Sequence, residues 1–331
     1  MQADTTLPEP RLLDPSEQHL RIPSHHLGLS LFLRHLPPRS GTTERGVVLY
    51  VHGATFPSAL SIAHRFDGRS WRDDLCAAGF HVWGLDFLGY GCSDRYPQME
   101  HPADGSAPLC QAEDASRQVE AAVRAICQRH GAPRISIVAH SWGTIATARF
   151  AARCPGLVDR LVLFGAIARR EPAADPPSYP AWRTVTLREQ WERFTAEVPP
   201  GEPPVLSRRH FEDWSERYLD SDPQGRRMQP AGVRTPSGPW YDIGRALHGD
   251  LAYDPQQVRA PVAIIRGEWD SLCTDADAAW LMGALRSSSL RRDVKIARAT
   301  HLMHLETSRY ALYRETETFL LGRDPPPNEH H

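Results

Sequence analysis

Apolar residues in this chain fall into short, nearly continuous runs of Val, Ile and Leu, separated by longer stretches where they recur every three or four positions. The runs at 29–36, 47–52, 80–87, 135–140, 161–165, 262–267 and 294–297 each predict a strand. Strands so uniformly apolar are buried on both faces, the condition of a parallel sheet covered by helices. Amphipathic stretches between them supply those helices. The clearest spans 111–130, with apolar positions at Val119, Ala122, Val123, Ile126 and Cys127 and a stop at Gly131. The alternation predicts an α/β fold with a mostly parallel sheet flanked by helices.

Residues 168–252 break the rhythm. They hold many prolines, aromatics such as Trp191, Phe194, Phe211, Trp214, Trp240 and Tyr241, and no convincing strand, with helical segments near 187–198 and 207–220. Alternation resumes after Pro261, so this stretch reads as a helical cap or lid inserted between two strands. There it covers the carboxyl ends of the sheet, where ligands of open α/β sheets bind. The expected organisation is a core in two parts (1–167 and 253–323), the cap (168–252) and a disordered tail (324–331).

The run at 135–140 ends in Ala139-His140-Ser141-Trp142-Gly143, followed by small residues at Thr144, Ala146 and Ala148. Strand, sharp turn and small-residue helix lift a serine hydroxyl above the sheet edge in a strained conformation. Ser141 needs a base and an orienting acid. After the strand at 262–267, Asp270 is the favoured acid, with Glu268 and Asp275 as competitors. After the last strand, His301 lies in a loop and is favoured over His304 as the base, while His140 and Asp86 read as structural. Donors for an oxyanion are expected at the Trp142 amide and at Ala54 or Thr55, in the glycine-opened loop after the strand at 47–52. His52, Trp214, Trp240 and Tyr241 are candidate substrate contacts.

Composition narrows the partners. The chain has 331 residues, 41% of them hydrophobic, and a net charge of −2, which gives no electrostatic case for nucleic acid or an anionic membrane. One lysine, Lys295, nearly removes Schiff-base chemistry. The six cysteines have no metal-type spacing, and neither a metal nor a cofactor is called for. Residues 1–10 lack a signal-peptide pattern and no run spans a membrane, so a cytoplasmic protein is expected. The oligomeric state is unreadable.

Taken together, the His52-Gly53 loop, Asp86-x-x-Gly-x-Gly-x-Ser93, the Ser141 elbow, Gly267-x-x-Asp270 and the His301 loop resemble the serine-nucleophile, cap-containing branch of the α/β-hydrolase fold family. Ala139 departs from the family's usual glycine by one methyl. A serine at 141 disfavours the dehalogenases and epoxide hydrolases of this fold, which place aspartate there. Ser141-Trp142-Gly143-Thr144 is similar to the elbow of proline iminopeptidases, but Asp86-Phe87-Leu88-Gly89 departs from their Asp-Gln-Arg-Gly. Residues and resemblance together imply a serine hydrolase, carboxylic ester hydrolase-like, that uses a Ser-His-Asp catalytic triad to act through an acyl-enzyme on the ester-like or thioester carbonyl of a small molecule with an acyl group. An acyltransferase, a biosynthetic thioesterase or cyclase, and a carbon–carbon bond hydrolase are compatible alternatives. A non-catalytic binding protein on this fold is less so.

Overall fold

The computed structural model describes residues 12–171 and 178–322. The expectations for residues 1–10 and for the tail at 324–331 lie outside them.

Six strands precede residue 168: β1 (Gln18–Pro23), β2 (Ser30–Leu36), β3 (Gly46–Val51), β4 (Phe80–Asp86), β5 (Ile135–His140) and β6 (Val158–Phe164). The insertion adds β7 (Trp182–Thr186) and β8 (Gly232–Pro236), and β9 (Val262–Gly267) and β10 (Arg291–Ile296) follow it. All but β7 and β8 form one sheet in the order β1-β2-β4-β3-β5-β6-β9-β10. β2 pairs antiparallel with both β1 and β4, and the remaining pairs are parallel.

The helices are α1 (Trp71–Ala77), α2 (Ala112–His130) and α3 (Trp142–Arg153), then α4 (Leu187–Thr195), α5 (Arg208–Leu219) and α6 (Gly238–Leu247) in the insertion, then α7 (Asp275–Ala284) and α8 (Arg309–Leu320). None among the described residues is long and apolar enough to cross a membrane. β3 shows why the strand runs are continuous. Leu49 and Val51 enter a core with Val119, Val123 and Ile126 of α2 and Ile145 of α3. Val48 and Tyr50 enter a second core on the other face with Trp71 and Leu75 of α1 and Leu312 and Phe319 of α8. Gly131 ends α2 at φ 60°, as its position in the pattern predicts.

Four elements escape the pattern. β1 is an edge strand with only Ile22 buried, so it shows no apolar run. The expectation of no strand between 168 and 252 is overturned by the antiparallel pairing of β7 and β8, with Val185 opposite Val233. Their sequences, WRTVT and GVRTP, are short and polar, and contact between the two segments makes them strands. α6 opens on Gly238-Pro239, which reads as a turn, although proline suits a first helical turn. The insertion has its own core: Phe194, Phe211, Trp214 and Tyr218 pack with Phe56, Leu60, Leu302 and Leu305 of the main body.

Candidate active site

β5 is buried throughout and α3 starts two residues after it ends, leaving Ser141 to make the turn at φ 55° and ψ −129°. Few residues with a Cβ adopt that conformation. The Ser141 side chain does not cap α3. Instead its Oγ lies 2.7 Å from His301 Nε2, while Nδ1 lies 3.0 Å from both oxygens of Asp270. A ring nitrogen facing a carboxylate carries the proton, so Nδ1–H donates to Asp270 and Nε2 accepts from Ser141. Asp270 Oδ1 is held in turn by the Leu272 and Cys273 amides, each at 2.9 Å. Gly165 ends β6 at φ 57°, and a Cβ there would come within 2.8 Å of the His301 ring.

All three residues are buried, with Ser141 only 3% exposed. Burial lowers the pKa of His301, but the charge of Asp270 and its hydrogen bond outweigh it, and Glu197 adds to the rise. The net displacement is upward.

The loop after β3 runs directly against the serine. A Cβ on Gly53 would lie 3.0 Å from Ser141 Cβ and 3.1 Å from His140 Nδ1, so glycine there permits the approach. His52 does not face a substrate space. Its Nδ1 donates to the Gly53 carbonyl at 2.7 Å and its Nε2 accepts from the Phe87 amide at 3.1 Å, tying this loop to the one after β4. Burial keeps the ring neutral. The Tyr90 hydroxyl donates to the Ala54 carbonyl at 2.8 Å, and Thr55 Oγ1 accepts from Arg193 at 3.1 Å. Trp142 opens α3, so its N–H has no partner within the helix.

The competitors are engaged elsewhere. Glu268 accepts from the Arg298 amide at 2.9 Å, and Asp275 pairs with Arg266 and Lys295. His304 is buried against Phe56 and His140, with neither nitrogen partnered among the described residues, and burial takes its pKa to about 3. His140 stacks on Phe164 and donates from Nε2 to the His301 carbonyl at 3.1 Å. Asp86 accepts from the Ser58 amide at 2.9 Å and the Cys92 amide at 3.1 Å, a loop-closing role.

Among the expected substrate contacts, Trp214 is corrected. It is fully buried in the insertion's aromatic core and donates from Nε1 to the Leu60 carbonyl at 2.9 Å. Tyr241 bonds Arg245 at 2.7 Å and lines a cavity with Glu113 and Arg149. Trp240 stands between Arg183 and Arg193, each 5.3 Å from its ring. His35, His81 and His130 bring ring nitrogens together near the amino end of β4, but His35 and His81 bond each other at 3.1 Å and His130 accepts from Trp83.

Two side chains that no sequence pattern singles out come from or follow α4. Glu197 accepts from the Ser271 amide and the His301 amide, each at 2.8 Å, and also from the Ser271 hydroxyl. It thus holds the acid loop and the base loop to the insertion. Arg193 reaches Thr55. Their partners lie 74 to 138 positions away, and the one available signal was polar residues on the inward stripe of an amphipathic helix. A third missed residue, Asp242 of α6, accepts from Trp142 Nε1 at 2.8 Å, and burial raises its pKa to about 7.

This sheet order, with a serine on the turn after β5 and the insertion between β6 and β9, defines an α/β-hydrolase. Residues 42–308 match Hydrolase_4, the serine aminopeptidase S33 family, and the chain belongs to that family. Probable lysophospholipase BODYGUARD 2 of Arabidopsis thaliana is 25% identical over 162 residues, 49% of this chain and 31% of that protein. The match therefore spans under a third of the plant protein's length. Among solved structures, the thioesterase domain from the curacin biosynthetic pathway aligns with a TM-score of 0.59 at 15% identity, over 90% of this chain and 98% of that one. The Paleococcus ferrophilus monoacylglycerol lipase aligns with a TM-score of 0.54 at 18% identity, over 88% and 99%. At such identities the likeness is one of fold.

Proposed function

We propose that this chain hydrolyses small-molecule esters or thioesters through an acyl-enzyme. Ser141 Oγ attacks the carbonyl carbon while His301 Nε2 takes its proton. Asp270 holds the Nδ1 proton and offsets the imidazolium charge. The amides of Trp142 and of Ala54 or Thr55 bind the oxyanion. His301 then protonates the leaving group, and water attacks the acyl-enzyme by the reverse relay. Residues 168–252 act as the cap that encloses the acyl group.

The observation that carries this reading is the continuous line from Ser141 Oγ (2.7 Å) through His301 to Asp270 (3.0 Å), with the serine at φ 55°. An ester or thioester is favoured over a peptide with a free amino terminus. An aminopeptidase needs an available carboxylate for the substrate ammonium, whereas Glu197 is occupied by Ser271 and His301, and it is a cation, Arg193, that stands at Thr55. A fluorophosphonate probe should label Ser141. Ser141→Ala should abolish labelling and lower kcat on 4-nitrophenyl esters by about 10⁶. Activity of that variant within about tenfold of wild type refutes the mechanism.

A further inference from the structure

Arginine heads taken out of water in this protein meet carboxylates: Arg34 meets Glu17 at 2.6 Å, Arg234 meets Asp222 at 3.0 Å, and Arg266 meets Asp293 at 3.0 Å. A buried cation requires such a partner. Arg193, which is half-buried, has no such partner among the described residues. The acidic residues near it along the chain are committed elsewhere, Glu189 to Arg183 at 2.6 Å, Glu192 to Arg188 at 3.1 Å and Glu197 to the Ser271 and His301 amides. Among the described residues no carboxylate pairs with Arg193, whose guanidinium bonds Thr55 Oγ1 at 3.1 Å and lies over Trp240. Its bond to Thr55 places the head at the loop after β3, which runs against Ser141 at Gly53. Burial pushes its own pKa down, and Tyr218, Glu197 and Glu189, none of them paired with it, offset only part of that cost.

Two further donors nearby also lack a well-placed acceptor. Gln190, one turn earlier on α4, is fully buried, and among the described residues its amide meets only the Tyr218 hydroxyl, without good hydrogen-bond geometry. It lies beside Tyr218, whose hydroxyl is already given to the Val185 carbonyl at 3.0 Å. The buried Trp240 Nε1–H is likewise unpartnered among the described residues. Arg193 and Trp240 line a surface cavity of about 280 Å³ with Arg183, and its two carboxylates, Glu189 and Glu192, are paired with Arg183 and Arg188. A guanidinium fork with one N–H given to Thr55 and the rest without a carboxylate, beside an indole N–H without an acceptor, suits a planar anion with two oxygens.

We propose that Arg193, flanked by Trp240 and Gln190, is the subsite for a carboxylate on the substrate, so that the enzyme prefers carboxylate-bearing esters or thioesters to neutral ones. This rests on the ester-hydrolase reading above and names its substrate class.

The test uses two series of esters, one with the carboxylate at the far end of the acyl chain and one with it on the leaving alcohol. Each member has a neutral methyl-ester twin. Wild type should favour the charged member of at least one series by about tenfold or more in kcat/KM. Arg193→Met should bring that ratio near one, and Arg193→Lys should restore part of it. Equal rates for charged and neutral twins in both wild-type series, or a preference that survives Arg193→Met, overturns the proposal. If Arg193→Met does not melt cooperatively, the wild-type and Arg193→Lys ratios decide. Fluorophosphonate labelling separates the two readings. If wild type is not labelled, the hydrolase reading fails, and the subsite is then read by thermal shift with glutarate. Stabilisation of wild type that is smaller in Arg193→Lys and lost in Arg193→Met supports the subsite, and no stabilisation of wild type, or equal stabilisation of Arg193→Met, rejects it.

Discussion

Ser141, His301 and Asp270 sit on three loops at the carboxyl ends of β5, β10 and β9, and residues outside the three hold those loops in place. Glu197 does so from the insertion, accepting from the backbone of two of them. Its carboxylate also favours the imidazolium form of His301. The base must be neutral to accept the serine proton, so kcat/KM should rise with pH through a His301 pKa displaced above the ordinary histidine value of about 6.5. Glu197→Gln removes a negative charge, lowers that pKa and moves the acid limb to lower pH. It also weakens hydrogen bonds to a charged acceptor, each worth about 1.5–3 kcal/mol, so kcat/KM above the limb should fall by about tenfold. A pH–rate profile reads both effects, and a limb that stays in place rules out the electrostatic part.

Among the elements, α4 shows what a sequence can and cannot disclose. Its existence was legible because Thr186 and Glu189 form a capping box and apolar residues recur at helical spacing. Its function was not, because Arg193 and Glu197 act on loops brought to them only by the tertiary fold. The central strands were legible for the opposite reason: burial on both faces leaves an apolar run that owes nothing to distant partners. β7 and β8 lack that run, and pairing with each other is what makes them strands. The serine turn was legible locally, and Asp270 and His301 were legible from their positions after strands. Trp214 was misread because an aromatic in an insertion looks the same whether it faces a ligand or its own core. Trp214→Ala should lower the unfolding free energy by about 3–5 kcal/mol, read by denaturant titration, with Trp214→Phe recovering most of the packing but not the bond to Leu60. A loss under about 1 kcal/mol would show that the insertion does not rely on this anchor.

Across the whole molecule, Asp242 couples the insertion to the main body by accepting from Trp142 of α3 and from the Ala112 amide that opens α2. Burial raises its pKa from 3.8 to about 7, so the folded chain keeps a proton that the unfolded chain releases. Its contribution is therefore fully present below about pH 4 and is lost as pH rises through 7, and buried Glu306 acts in the same sense. Asp242→Asn, which keeps an acceptor and removes the charge, should raise stability at pH 8 by up to about 4 kcal/mol and change little at pH 4. Thermal melts at the two pH values decide, and an equal effect at both rejects the buried-charge account. The Glu197 contact carries a different consequence, for timing. Any displacement of α4 large enough to admit a bulky molecule draws that carboxylate off the Ser271 and His301 amides. The two loops then lose their common anchor while the doorway stands open. If residues 168–252 act as the proposed cap and open by moving α4, the loops that carry the proposed acid and base are least ordered during entry and regain their anchor on closure.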